Sequence, residues 1–159
     1  MSFEKTFEIG SIFHDGKFIP VEFTCDGENL NPPIFIGYID PKAESVAIIV
    51  DDPDAPDGTF THWVAWNIPP LGEIPRGIPS RGNVEQPIHV MQGMNDFGKI
   101  GYGGPCPPKG HGIHHYHFKV YILDRKLNLN PGVSRKELEK SMDGHVIQCG
   151  ELVGLYERK

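Results

Sequence analysis

Cysteine is scarce in this chain: Cys25, Cys106 and Cys149 are an odd number and show none of the paired spacings of a metal site. A cysteine-based metal module is therefore excluded on spacing. The three thiols are expected to be reduced, as in a cytoplasmic protein, with Cys106 a small packing residue in a loop. Long apolar runs are missing too, so no transmembrane helix is expected. Met1 to Gly10 is polar and charged, unlike a signal peptide. Lysine and arginine form no run, and acidic residues outnumber them, 21 to 15, for a formal charge of −6. Nothing here could follow a nucleic-acid backbone. Internal repeats, low-complexity tracts and linkers are also lacking. At 159 residues the chain is expected to fold as one domain, 1–159, burying roughly two-thirds of its unfolded surface.

What the chain does have is glycine and proline, 19 and 15 residues, concentrated where ionisable groups gather. The stretch 101–116 runs Gly-Tyr-Gly-Gly-Pro-Cys-Pro-Pro-Lys-Gly-His-Gly-Ile-His-His-Tyr. Prolines 105, 107 and 108 fix φ, and the glycines let backbone approach a ligand closely. A stiff loop of this kind, beside imidazoles and a phenol, can hold a small anion without reorganising. An ordinary surface turn is the plainer reading of such a cluster, and two further segments argue against it.

Strand alternation supplies them. In Val46 to Asp52, the residues Val46, Ile48, Val50 and Asp52 share a face that is apolar until its last member. In His62 to Ile68, the set His62, Val64, Trp66 and Ile68 shares a face that opens on an imidazole. From His114 onward, His114, Tyr116, Phe118, Val120 and Ile122 point one way. Each segment thus sets a polar group at the tip of a core-facing row. If the tips meet, Asp52, His62, His114 and Tyr116 line one cavity at a sheet rim. Trp63, Ala65 and Asn67 fall on the face opposite His62, where a second sheet is the expected cover and a second subunit the alternative.

The remaining pattern is one of short strands punctuated by turns: 3–9, 18–24, 34–38, 45–52, 62–68, 88–91, 116–123 and 150–156. This predicts a mainly β, antiparallel Greek-key sandwich. The segment 67–104 reads as an irregular loop around the cavity. One helix is expected after Ser134, which opens a capping box with Glu137, with Leu138 and Met142 on one face.

Several ordered motifs together carry a family likeness: Asp52-Pro-Asp-Ala-Pro56, His62-Trp63, Gln92 to Gly98, Gly101 to Pro108, Gly110 to Phe118, and the ending Gly144 to Tyr156. In these the chain resembles the phosphatidylethanolamine-binding protein family, which includes Raf kinase inhibitor protein. Within it the chain resembles the short bacterial and archaeal branch (YbhB/YbcL type). The likeness runs from about Phe7 to the C-terminus. It implies a pocket for phosphate-like anions and phospholipid headgroups, formed by Asp52, His62, Pro107, Pro108, His114 and Tyr116. The same likeness implies a cis Ala55–Pro56 bond that turns Asp52 toward the cavity. Unlike the longer animal and plant proteins, this chain is expected to end on its last strand without an extra C-terminal helix. That weakens the implication of lipid-tail binding and of kinase inhibition.

Other chemistries use these residues less well. His115 and His117 point away from His114, so no local zinc cluster forms. A two-histidine, one-carboxylate metal site from His62, His114 and Asp52 is the alternative kept open. A hydrolase would need Cys106 near His114 as nucleophile, yet nothing in the sequence favours its thiolate. Anion recognition needs only proton donors from His and Tyr116, with Asp52 orienting a histidine or accepting a ligand ammonium. The expected function is therefore non-catalytic binding of a phospho-headgroup, with no cofactor and with modulation of partner proteins. The alternative is inhibition of a serine protease or kinase through the protein surface, and a homodimer stays open.

Overall fold

The computed structural model describes residues 7–159. Two sheets enclose the main core. The smaller joins β1 (Ile9–Gly10), β3 (Ile34–Ile36) and β6 (Glu73–Ile74). The larger runs in the order β2 (Lys17–Phe18), β10 (Val146–Tyr156), β9 (His114–Leu123), β4 (Ser45–Asp52), β5 (Phe60–Ile68), β8 (Val90–Gln92) and β7 (Asn83–Val84). Its pairs are antiparallel except β2 with β10. The predicted antiparallel sandwich is thus the observed architecture.

Alternation in β4 and β9 divides the large sheet's two faces as the sequence indicates. Val46, Ile48, Val50, Tyr116, Phe118, Val120 and Ile122 enter the core shared with Ile9, Ile34, Ile36 and Ile74 of the small sheet. Ala47, Ile49, Tyr121 and Leu123 face the other way, against Leu138 and Met142 of α1 (Arg135–Met142). That helix begins as expected, with Ser134 and Glu137 exchanging capping hydrogen bonds. Burial on both faces explains why β4 reads as a continuous apolar run.

β5 departs from simple alternation. Val50 pairs with Trp63 but Asp51 with Thr61, so His62 is an extra residue opposite β4. A bulge of this kind places two successive side chains on one face. His62 and Trp63 therefore share the main-core side. A second register break between Val46 and Ile48 falls at Trp66–Asn67, where Asn67 has φ 55°. Asparagine tolerates that conformation, and its side chain closes two hydrogen bonds to the Leu127 backbone, at 2.7 and 2.9 Å. The expected common face of His62, Val64, Trp66 and Ile68 is corrected accordingly: Val64 and Trp66 lie beneath the helix, while Ile68 joins the main core. Trp63 and Ala65 are covered within the chain, in that same core.

Other expectations also change. The strand expected over 18–24 ends at Phe18, because Pro20 leads into a 3-10 turn at Val21–Phe23. Most of the strand expected over 3–9 lies outside the described residues. The segment 67–104 contains β6, β7 and β8, too short to show a period. The cis bond is Gln86–Pro87 and not Ala55–Pro56. The turn after β4 is instead shaped by Asp54 N–H donating to Asp52 Oδ1 and by Gly58 at φ 106° donating to the Ala55 carbonyl. Cys25 and Cys106 form a disulfide, their Cα atoms 5.4 Å apart. This overturns the expectation of reduced thiols and removes the cysteine argument for a cytoplasmic location. No helix among the described residues is long and apolar enough to cross a membrane.

Asp51 is nearly buried on the helix side and accepts from Lys119 at 3.0 Å and Arg135 at 2.6 Å. It ties α1 to the sheet. Losing one partner of a buried pair costs about 3–5 kcal/mol, less where the stranded cations can rehydrate. Lys119 and Arg135 are partly exposed. Asp51→Ala is therefore expected to lower the unfolding free energy by about 2 kcal/mol in urea titrations. An unchanged midpoint would mean that apolar contacts alone hold the helix.

Candidate functional site

A cavity of about 520 Å³ opens where β4, β5 and β9 meet the loop before β9. All six residues expected at the site, Asp52, His62, Pro107, Pro108, His114 and Tyr116, line it. Each arrives by a separate structural device. Asp52 is the last residue of β4, and His114 and Tyr116 open β9 on the main-core face. His62 reaches the same side through its bulge.

The loop 101–108 is fastened at several points. Gly103 N–H donates to the His62 carbonyl at 2.9 Å, and Cys25 N–H to the Pro105 carbonyl at 3.1 Å. Gly104 N–H donates to Asn29 Oδ1 at 2.8 Å, and the Tyr102 hydroxyl to the Phe23 carbonyl at 2.7 Å. A Cβ on Gly104 would collide with the Phe23 carbonyl and the Asn29 side chain, so glycine is required there. The disulfide adds a covalent tie, placing Cys106 in the cavity wall.

His62 is 3% exposed and donates through Nδ1 to the Gly103 carbonyl at 2.6 Å. The neutral ring therefore keeps its proton on Nδ1 and leaves Nε2 bare. Burial holds its pKa below the ordinary 6.5, only partly offset by the carbonyl contact. Phe60, Phe97 and Tyr116 surround it with ring centroids 4.9, 5.4 and 5.2 Å away. Tyr116 is buried, and its hydroxyl has no hydrogen-bond partner among the described residues. Burial, with the Asp52 charge adding to it, drives the phenol's pKa well upward, so it remains a donor at any ordinary pH.

His114 is committed differently. Its Nδ1 donates to Asp52 Oδ2 at 2.6 Å, and its Nε2 meets His111 Nδ1 at 2.6 Å. Both ring nitrogens are engaged inside the protein, so His114 presents its ring to the cavity. Asp52 is likewise occupied, with Oδ1 accepting from Asp54 N–H at 2.7 Å. The expected role of Asp52 in orienting a histidine has a geometric counterpart in this contact, and its expected role as acceptor for a ligand ammonium does not. The contact of His111 with His114 was not foreseen from the sequence.

Also missed were Phe60, Asp57, Asp96 and Phe97, which line the cavity. Phe60 was open to inference, two residues before His62. Asp96 and Phe97 arrive from a loop, where Asp96 Oδ2 accepts from Thr61 N–H at 2.7 Å. Among the described residues, no Lys or Arg lines the cavity. Among the described residues, no three His, Cys, Asp or Glu side chains gather as metal ligands. The metal alternative keeps only His62 Nε2 free, because both ring nitrogens of His114 are engaged by Asp52 and His111, and the Cys106 nucleophile is consumed by the disulfide.

The family model described as phosphatidylethanolamine-binding protein matches residues 10–157. A UPF0098 protein of Pyrococcus abyssi is 65% identical over 156 residues, covering 98% of this chain and 88% of the relative. The crystal structure of a phosphatidylethanolamine-binding protein homologue from Chlamydia trachomatis superposes with TM-score 0.86 at 34% identity, covering 98% of this chain and 100% of that one. Escherichia coli YbcL, described as a member of the mammalian family, gives TM-score 0.86 at 31% identity, covering 96% and 99%. A carboxypeptidase Y inhibitor solved with its cognate proteinase gives TM-score 0.56 at 15% identity, over 99% and 86%, a likeness of fold alone.

The lowered His62 pKa has a consequence for stability. The unfolded chain takes up a proton near 6.5 that the folded ring resists. The contribution is thus complete above that value and is lost as pH falls toward the folded pKa. Acidification from neutral pH should destabilise the wild type more than His62→Asn, as read by urea unfolding at a series of pH values. Parallel pH profiles would show that His62 is not held neutral.

Proposed function

The chain belongs to the phosphatidylethanolamine-binding protein family, and we propose that its cavity binds a phosphorylated headgroup bearing an ammonium, without turning it over. The observation that carries this reading is the buried, unpartnered Tyr116 hydroxyl beside a neutral His62, in a cavity lined by carboxylates and no cationic side chain. A phosphoryl oxygen satisfies the hydroxyl, whose burial without a partner costs about 1–3 kcal/mol. His62 Nε2 takes up a proton from solution on binding and becomes a second donor. Pro107 and Pro108 form the rigid wall, and His114, fixed by Asp52 and His111, closes the floor.

Asp57 and Asp96 decide between ligands. A dianion with no compensating charge is repelled by these carboxylates. A zwitterion such as a phosphoethanolamine headgroup can place its ammonium toward them and against the exposed ring of Phe97. The cavity contains no nucleophile next to a base, which supports binding and not turnover. Any influence on partner proteins would follow from occupancy of this pocket.

Isothermal titration with O-phosphoethanolamine and inorganic phosphate tests the reading. The zwitterion is expected to bind about tenfold more tightly. His62→Ala should remove most of that affinity, and Tyr116→Phe should weaken it about fivefold to tenfold. Because His62 is neutral in the free protein, binding takes up a proton, and affinity should fall by up to about tenfold per pH unit as pH rises above 7. Absence of saturable binding at millimolar concentrations, or affinities indifferent to both substitutions, would sink the proposal.

A further inference from the structure

We propose that the Cys25–Cys106 bridge is a thiol-exchange site through which a dithiol reductant sets the state of the pocket. The inference rests on the headgroup reading for what is controlled, and on separate observations for how.

The first observation is position. A second cavity, about 320 Å³, adjoins the first and is lined by Cys25, Asn29, Lys99 and Tyr102 among others. Only Phe97 and Cys106 line both cavities. The bridge is thus part of the partition between them, and neither cysteine is fully buried.

The second observation is charge. Arg158 Nη1 lies 3.7 Å from Cys106 Sγ. The guanidinium is held there by Asp26 at 3.2 Å, and Asp26 also accepts from the Tyr156 hydroxyl at 2.6 Å. A cation beside one sulfur stabilises that sulfur as a thiolate and makes it the better leaving group. Exchange therefore has a direction. A reductant thiolate attacks Cys25 Sγ, the S–S bond breaks, and Cys106 leaves as a thiolate beside Arg158. The second thiol of the reductant then attacks the mixed disulfide and expels Cys25. Two electrons and two protons pass from the dithiol to the protein, and the reductant departs as its own disulfide.

The third observation is what the bridge restrains. Cys106 sits between Pro105 and Pro107, whose rings fix their own φ, so the freed sulfur moves chiefly by side-chain rotation. The same loop supplies the Gly103 carbonyl that sets the His62 tautomer and the Pro107–Pro108 wall. Reduction leaves it held to its neighbours by hydrogen bonds and contacts alone, and loosens the preorganised wall.

The test compares oxidised protein with protein reduced by dithiothreitol, redox state being verified by thiol titration. Histidine ring NMR without ligand is recorded first, then titration with O-phosphoethanolamine. Reduction is expected to shift the His62 ring resonances and to weaken binding by at least about threefold. The Cys25→Ser/Cys106→Ser variant should behave like the reduced protein and ignore dithiothreitol. Arg158→Ala should slow reduction about tenfold. Reduced protein with unchanged His62 resonances and unchanged affinity would overturn the proposal, as would an Arg158→Ala variant reduced at the wild-type rate. If neither redox form binds the probe while His62 still shifts on reduction, the headgroup reading fails and the coupling of bridge to pocket stands.

Discussion

One surplus residue in β5 organises the site. Opposite Asp51 the strand carries an extra position, and through it His62 lies on the same side of the sheet as Trp63. With regular pairing, His62 would follow Val64 and Trp66 to the helix side, away from Asp52 and Tyr116. The bulge thus lets a strand buried on both faces contribute an imidazole to the rim while its next residue stays in the core. The loop 101–108 depends on it in turn, because His62 is held to Gly103 through both its backbone carbonyl and its ring.

The adjacent carboxylates Asp51 and Asp52 show how alternation assigns roles. Asp51 points to the helix side and meets two cations, whose charge offsets its burial. Asp52 points into the cavity and meets only His114 and a backbone amide. Its two oxygens are thus engaged by hydrogen bonds and not by a fixed cation. The site as a whole has hydrogen-bond donors but no permanent positive charge. On the proposed headgroup reading, an anion would be held by protons that can be taken up, which would make protonation part of recognition.

Much of this was legible in the sequence, for identifiable reasons. β4 and β9 are long and regular, so alternation placed Asp52, His114 and Tyr116 correctly, and the capping box located the helix. β5 was misread because a bulge leaves no mark on residue types; only the left-handed Asn67 hinted at a break. Strands of two or three residues show no period, so β6 and β7 were not individually evident, and β2 was overextended to 18–24. The disulfide joins residues 81 positions apart, and spacing alone cannot pair such distant cysteines. Asp96 and Phe97 reach the cavity from a loop, where no face can be assigned without coordinates.

The pairing of β2 with β10 has a further consequence. Lys17 and Phe18 lie parallel to Gly154 and Leu155, and Asp15 accepts from Val153 N–H at 2.8 Å. An early segment thus completes the sheet only against the last strand. During synthesis the pairing of β2 must wait until β10 has emerged. Contacts of such long sequence separation are slow to close. The order of assembly is therefore set by topology: β4, β5 and β9 can associate first, and the edge is sealed last.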